Sequence, residues 1–349
     1  QVFEGDLDIE RLVLSISAET GVSIEAENTL IIFDEVQEVP KALTSLKYFY
    51  ENAPQYAIVA AGSLLGVALH QGTSFPVGKV DFLDLYPLNF REFLCAMGEK
   101  QFVSMLDSCD TQMVTVFKTK YIERLREYYF VGGMPEVVKD FSEKKDYNRV
   151  RAIQKNLINY YQQDFSKHAE IKLVPRLNLV WNSIPMQLAK ENKKYIYGQV
   201  REGSRAKDFE LAIQWLLDCG LIHKVQRIQK PDLPLKAYID FDAFKLFLVD
   251  IGLLIAMTDL DAKVIIEGNK IFTEFKGALT EQYILQQLIS DVGVIPYYYS
   301  TQNSKGEIDF LVQGKTSVIP IEVKAEENLK AKSLKAFCEK YQPSYAVRT

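Results

Sequence analysis

The chain has 349 residues, is 48% hydrophobic and 25% charged, and carries a formal net charge of −5. At roughly 150 residues per domain this fits two or three ordinary globular domains. It excludes a generally basic nucleic-acid coat and, because no run of ~18 apolar residues occurs, a membrane span. Cys95, Cys109, Cys219 and Cys338 are scattered without C-x-x-C spacing, and His70, His168 and His223 form no metal pattern. Free thiols in a reducing, cytoplasmic compartment are therefore expected, with no disulfide or zinc framework.

Leu30-Ile31-Ile32-Phe33-Asp34-Glu35 is the first informative element. Four apolar residues ending in two acids predict a strand buried on both faces of a parallel sheet. Its carboxylates then stand at the strand ends where open α/β sheets bind ligands. Pro40–Glu51 predicts a helix, and Ala57–Ala61 predicts a second strand that ends in Gly62-Ser63. Strand, helix, strand is a βαβ unit, which sets Ser63 beside Asp34 at one sheet edge. P-loop nucleotide hydrolases need such an edge: one acid on magnesium, its neighbour on the attacking water, and a hydroxyl near the terminal phosphate. The plainer alternative is a core strand followed by a solvated turn.

Leu83–Leu94 predicts a turn or short strand and then a helix after Pro87. Met113–Phe130 predicts a helix stopped by Gly132-Gly133 with Pro135 beyond. Four phrases, LIIFDEVQEVP, AAGSLLG, VDFLDLYPLNFREFL and YYFVGGMPEVV, occur in that order in the first 140 residues. Together they resemble the AAA-type ATPase domain of bacterial and archaeal proteins whose C-terminal half is the uncharacterised DUF4143 region. The resemblance implies ATP and magnesium as cofactors, Asp34 on the metal, Glu35 on the water, Ser63 as the sensor, and a lid that follows. Lys79 stands where the family usually has Arg, which keeps the charge but not its bidentate geometry. Gly72-Thr-Ser-Phe-Pro-Val-Gly78-Lys79-Val80 is not the phosphate loop G-x-x-x-x-G-K-[ST]: its glycines are too far apart, and Val80 replaces the hydroxyl. It also follows the acid strand, whereas the family's loop precedes it. The first domain, 1–142, is thus expected with its N-terminal phosphate loop missing from this chain, upstream of Gln1 or cut away.

The charged run Ser142–Asp146 marks the expected boundary. Helices are predicted over 150–166, 173–191 and 205–218, the last with Phe209, Leu211, Ala212, Trp215, Leu216 and Leu217 as its apolar stripe and Gly220 as its cap. Two strand-like runs follow, Leu221–Ile228 and Ala237–Phe241. Helices and then a hairpin suggest a winged-helix connector over 143–260. Arg201, Arg205, Lys207, Lys224, Arg227 and Lys230 would give it a phosphate-facing stripe for DNA. The alternative is an internal connector whose basic residues face water. Lys245–Leu254 (KLFLVDIGLL) resembles a phrase of the DUF4143 region.

The last third, 261–349, holds a second group of acids. Phe275–Ser290 predicts a helix containing Glu281, with Leu279, Tyr283, Ile284 and Leu288 as its buried side. Gly306–Val312 and Val318–Lys324 predict strands. Residues two apart on a strand share a face, so Glu322 and Lys324 point the same way. If the strands pair, Asp309 sits beside Glu322. Carboxylates so placed can hold a divalent metal, and a neighbouring Lys can orient water. Asp309 followed by Glu322-Val-Lys324, with Glu281 on the preceding helix, resembles the PD-(D/E)xK nuclease superfamily. Gly277-Ala-Leu-Thr-Glu281 resembles the helix opening of DUF4143 proteins. The superfamily core needs a further helix and strand, and the final residues Tyr345–Thr349 enter a strand, so this domain is expected to be truncated.

The fold class expected is therefore α/β: a P-loop NTPase-type parallel sheet, a helical or winged-helix middle, and a restriction-endonuclease-like end. The expected function is a prokaryotic ATPase whose first domain drives DNA engagement or cleavage by the last, with nucleotide, DNA or a protein as partners and no membrane. The rival reading is a nucleotide-controlled protein-interaction switch with an inactive nuclease fold, marked by Glu322 and Lys324 buried in a closed salt bridge with no open groove around them.

Overall fold

A computed structural model describes residues 2–62, 65–68, 78–190, 193–267, 273–301, 306–324 and 332–349. The chain divides into two compact units, residues 1–85 with 214–221, and residues 86–213 with 222–349.

The first unit runs α1 (Ile9–Thr20), β1 (Leu30–Phe33), a 3-10 turn (Val36–Glu38), α2 (Pro40–Asn52), β2 (Ala57–Ala60) and α3 (Leu65–Ala68). Asp8 caps α1 by accepting the Arg11 N–H, and Pro40 opens α2, where its missing N–H costs nothing. β1 and β2 are parallel, with Leu30 opposite Ala57 and Phe33 opposite Ala60. Ile31 and Phe33 face a core made with Leu12, Leu43 and Phe49. The other face of β1 is not buried: Leu30 is 53% and Ile32 60% exposed, and Val59 beside them is 48% exposed. The expectation of a strand buried on both faces is thus corrected. Strict alternation follows because, among the described residues, the unit's apolar core lies on one side of the strand pair.

The second unit contains α4 (Phe90–Ala96), α5 (Lys100–Asp107), α6 (Thr111–Val116), α7 (Lys118–Val131), α8 (Pro135–Lys144), α9 (Tyr147–His168), α10 (Val174–Leu188) and α11 (Tyr197–Val200). α12 (Ala206–Asp218) crosses the division at Gln214. Then come β3 (Ile222–Ile228), β4 (Ile239–Leu248), α13 (Ile251–Met257), α14 (Ala262–Ile266), α15 (Thr273–Ser290), β5 (Tyr297–Ser300), β6 (Glu307–Gln313), β7 (Val318–Glu322), α16 (Lys332–Tyr341) and β8 (Val347–Arg348). Residues 83–87 form no strand, and α4 starts after a capping box in which Asn89 and Glu92 satisfy each other's backbone N–H. The predicted helix 113–130 is two helices broken at Phe117.

One six-stranded sheet has the order β4-β3-β5-β6-β7-β8. β5, β6 and β7 form an antiparallel meander, and β8 returns parallel to β7 after α16. The β3–β4 hairpin is not a free-standing wing, because β3 also pairs with β5.

Three phrases of the sequence and α15 meet around one buried carboxylate, Asp250, which is 0% exposed. It caps α13 through the Leu253 N–H and accepts from the Gly133 N–H and from Gln286 Nε2. Tyr128 donates to the Leu88 carbonyl, and Gln286 donates to the Tyr128 hydroxyl. Gly132 adopts φ 77°, ψ −167°, a region open essentially only to glycine, and a Cβ there would overlap Asp250 Oδ1. The YPLNF, YFVGGMP and LVDIGLL phrases are therefore legible as partners in a shared polar core.

Candidate functional site

Two acid groups carry chemistry, one in each unit. In the first, Asp34 and Glu35 follow β1 directly and both are exposed. The strand pair continues past its ladder: Ala61 donates to the Phe33 carbonyl, and Val36 to the Ala61 carbonyl. Between these rungs Glu35 turns left-handed, at φ 48°. Its N–H donates to Asp34 Oδ1 at 3.0 Å, and its carboxylate accepts from Gln37 Nε2 at 2.5 Å. The other amide atom, Gln37 Oε1, is buried without a partner. A Cβ at Gly62 would overlap that oxygen, so the glycine after β2 gives the Gln37 amide its place. Gln37 was not singled out from the sequence, although its position two residues beyond Glu35 was the available signal. Ser63 lies outside the described residues. Lys79 pairs with Glu51 at 3.5 Å and covers the Tyr50 ring, beside the α2 end that feeds the start of β2. Asp34 stands at the opposite strand end.

In the second unit α15 carries Glu281, which is 5% exposed. The helix is held to the sheet by glutamines. Gln282 accepts from the Leu248 N–H and donates to the Leu248 carbonyl, and Gln286 accepts from the Ile251 N–H. The buried side of α15 accordingly includes Leu279, Glu281, Gln282, Leu285, Gln286 and Ile289, while Tyr283, Ile284 and Leu288 are only partly buried. β6 and β7 pair with Phe310 opposite Ile321, a register that sets Asp309 opposite Glu322. Asp309 Oδ2 accepts the Val323 N–H at 2.8 Å, and Asp309 also hydrogen-bonds Glu281.

Three lysines enter this group. Lys193, between α10 and α11, pairs with Glu281 Oε1. Lys245, central in β4 and 0% exposed, reaches Glu281 Oε2 at 3.5 Å and Glu307 at 2.5 Å. Lys324 pairs with Glu322 Oε1 at 2.6 Å, and Glu322 Oε2 is buried without a partner. Burial alone would lower the Lys245 pKa, but the Glu281 and Glu307 carboxylates hold it above the ordinary lysine value. Burial would raise Glu281, but Lys245 and Lys193 outweigh it and hold that carboxyl low. Burial, aided by the Glu281 charge, pushes Asp309 up to about 7. Of these two carboxyls, burial and the Glu281 charge favour the proton on Asp309, while the lysines favour an ionised Glu281.

Sequence reasoning assembled Glu281, Asp309, Glu322 and Lys324 as metal ligands and their helper. The structure brings them together, but the charge balance is different. Among the described residues no group of three or more His, Cys, Asp or Glu is arranged to hold a metal ion. As arranged, the residues do not fit a divalent metal, because ammonium groups already face Glu281 and Glu322. Lys245 was missed, although a lysine inside the apolar run Ala243-Phe-Lys-Leu-Phe-Leu-Val249 signals a buried, paired cation. Nothing in its sequence neighbourhood marks Lys193.

The basic stripe is largely engaged within its own hairpin. Arg227 pairs with Asp240, Lys230 with Asp232, and Lys224 covers the Phe244 ring at 4.3 Å. Arg201, Arg205 and Lys207 remain exposed.

Comparison with known proteins places these observations. Residues 3–94 match the model of the AAA domain (AAA_14), 122–264 a domain of unknown function (DUF8612), and 276–349 another (DUF4143). The matches support an AAA-type ATPase. A solved Walker-type ATPase of Pyrococcus abyssi is similar at 15% identity and a TM-score of 0.44, over 73% of this chain and 68% of that one. No curated protein matches the chain.

Proposed function

We propose that the chain is part of an ATP-hydrolysing switch whose second unit is a nuclease-like platform held in a non-cutting state. The ATPase half rests on one observation: two exposed carboxylates at the C-terminal end of a parallel strand, inside a segment that matches the AAA domain. In this reading Asp34 would hold the magnesium of the nucleotide, which would neutralise phosphate charge. Glu35, oriented by Gln37, would orient or deprotonate the attacking water. The test is ATP turnover by the natural full-length gene product. Glu35→Gln should lose on the order of a hundredfold or more in turnover, the usual worth of a general base. Unchanged turnover removes the assignment.

The platform half rests on the Lys324–Glu322 ion pair and on the lysines facing Glu281. The order α15-β5-β6-β7-α16-β8, with β8 parallel to β7, supports a nuclease-like fold. Occupied carboxylates support a unit that engages a protein partner under nucleotide control. A second reading, magnesium-dependent DNA cleavage, is favoured by the unpartnered Glu322 Oε2 opposite Asp309. Incubation of native chain and Asp309→Ala with plasmid DNA and magnesium separates the two. Cutting that disappears in the variant would replace the non-cutting reading.

A further inference from the structure

We propose that the groove between α9 and α10 is a docking site for an extended segment of a partner protein, held by side-chain carboxamides that pair with its backbone. This names the docking surface of the protein-engaging platform described above and rests on that reading.

The two helices form a firm support. Tyr161 and Phe165 of α9 meet the fully buried Trp181 of α10 edge-on, with ring centroids 6.2 and 5.9 Å apart. The same helices enclose a groove of about 640 Å³, lined by Asn159, Gln162, Gln163, Ser166 and Lys167 of α9 and by Asn178 of α10. Four of these six residues are carboxamides, and none of the six is acidic. Gln162 Nε2 donates to Asn178 Oδ1 at 3.4 Å, and Asn178 Nδ2 donates to the Val174 carbonyl at 3.1 Å. Two amides are thereby fixed across the helix seam. Asn159 and Gln163 are exposed, and among the described residues neither side chain has a hydrogen-bond partner.

Chemistry and spacing both select a peptide backbone. A carboxamide carries a donor and an acceptor side by side, the same pair that each peptide unit presents. Asn159 and Gln163 lie about one turn apart, a rise of ~6 Å along the helix axis. An extended chain repeats its same-facing N–H and C=O groups every ~6.7 Å. From Asn159 to Lys167 the helix advances ~12 Å, the reach of about four extended residues. A volume of this size is ordinary for a binding site. One lysine among neutral amides is too little charge for a nucleic-acid backbone, whose affinity comes largely from phosphate contacts. It suits a segment without basic residues that sets any acid beside Lys167.

The experiment pans phage-displayed random heptapeptides on the full chain and titrates the recovered sequences as synthetic peptides by fluorescence anisotropy. Binding to Asn159→Ala, Gln163→Ala should fall at least about tenfold, because each truncation removes backbone hydrogen bonds. Both residues are exposed, so the double variant should fold as the native chain does. Asn148→Ala, exposed on the same helix eleven residues earlier, should bind as the native chain does. N-methylation at alternate peptide positions should abolish binding in one register and spare it in the other. Recovery of no peptide overturns the proposal, as do peptides indifferent to the double variant or to N-methylation in both registers. A fifteen-residue thymidine oligonucleotide bound through Asn159 and Gln163, with no peptide recovered, replaces the occupant and also overturns it. Repeating the titration on the natural full-length gene product with ATP and magnesium separates the two ideas. Groove binding that ignores nucleotide keeps the docking site and removes nucleotide control, whereas nucleotide-sensitive binding indifferent to the double variant keeps the platform and removes the groove.

Discussion

Lys245→Met tests the electrostatic account of the second unit most directly. The substitution keeps an unbranched apolar stem in β4 and deletes only the ammonium. In the native chain that ammonium is fully buried, 2.5 Å from Glu307 and 3.5 Å from Glu281. Removing one partner of a buried pair leaves an uncompensated charge, at a cost of about 3–5 kcal/mol. Two features put the expected loss near the lower end, about 3 kcal/mol. Glu307 has a side chain 30% exposed and can regain water, and Glu281 keeps Lys193. Glu281→Gln added to Lys245→Met removes one of the two carboxylates that lose this cation and should return about 1–2 kcal/mol of the loss. The assay is urea unfolding followed by the fluorescence of Trp181, which is 0% exposed in the second unit, in a Trp215→Phe background that silences the other indole. A Lys245→Met loss under about 1 kcal/mol, or strict additivity of the two substitutions, would refute the reasoning.

Asp309→Asn should flatten the pH dependence of stability. The folded pKa is raised to about 7, above the usual carboxyl value, so the proton's contribution is full at low pH and is lost as pH rises through 7. The slope is up to about 1.4 kcal/mol per pH unit between about pH 4 and 7. Asparagine mimics the protonated form, so the variant should gain on native protein across that window, read as Tm against pH; a constant difference counts against the assignment. Gly132→Ala should cost about 3 kcal/mol or more, from a forbidden backbone region and the displaced Asp250 carboxylate, visible as a fall in Tm of the second unit. Gly62→Ala should leave folding nearly intact yet lower ATP turnover, because its Cβ displaces the Gln37 amide that holds Glu35; wild-type turnover would show that Gln37 does not position the acid. Arg227→Ala should cost about 1–2 kcal/mol through the part-buried Asp240 it leaves behind, measured by urea denaturation.

Much of the candidate site was legible locally. Strand alternation put Glu322 and Lys324 on one face, because a strand's side-chain period is set by backbone geometry, and the pairing of β6 with β7 then set Asp309 opposite Glu322. The βαβ succession around Asp34 and Glu35 follows from apolar runs and turn residues in the same way. The helix caps at Asp8, Asn89 and Asp250 are also local features, written in three or four residues.

Other properties depended on what arrives from elsewhere in the chain. An apolar tetrapeptide cannot say whether one face of β1 or both will be covered, since covering depends on neighbouring elements. A helix's buried side shifts with its partners: α15 buries Gln282 and Gln286 because the backbone of Leu248 and Ile251 offers them bonds, and Glu281 because Lys193 and Lys245 meet it. Above all, Lys193 and Lys245 lie 88 and 36 positions from Glu281, yet their charges decide whether its carboxylate faces a metal or an ammonium. Spacing along a strand determines which acids meet; only the folded packing determines which cations meet them, because Coulomb energy in a buried site depends on distance in space and not on separation in sequence.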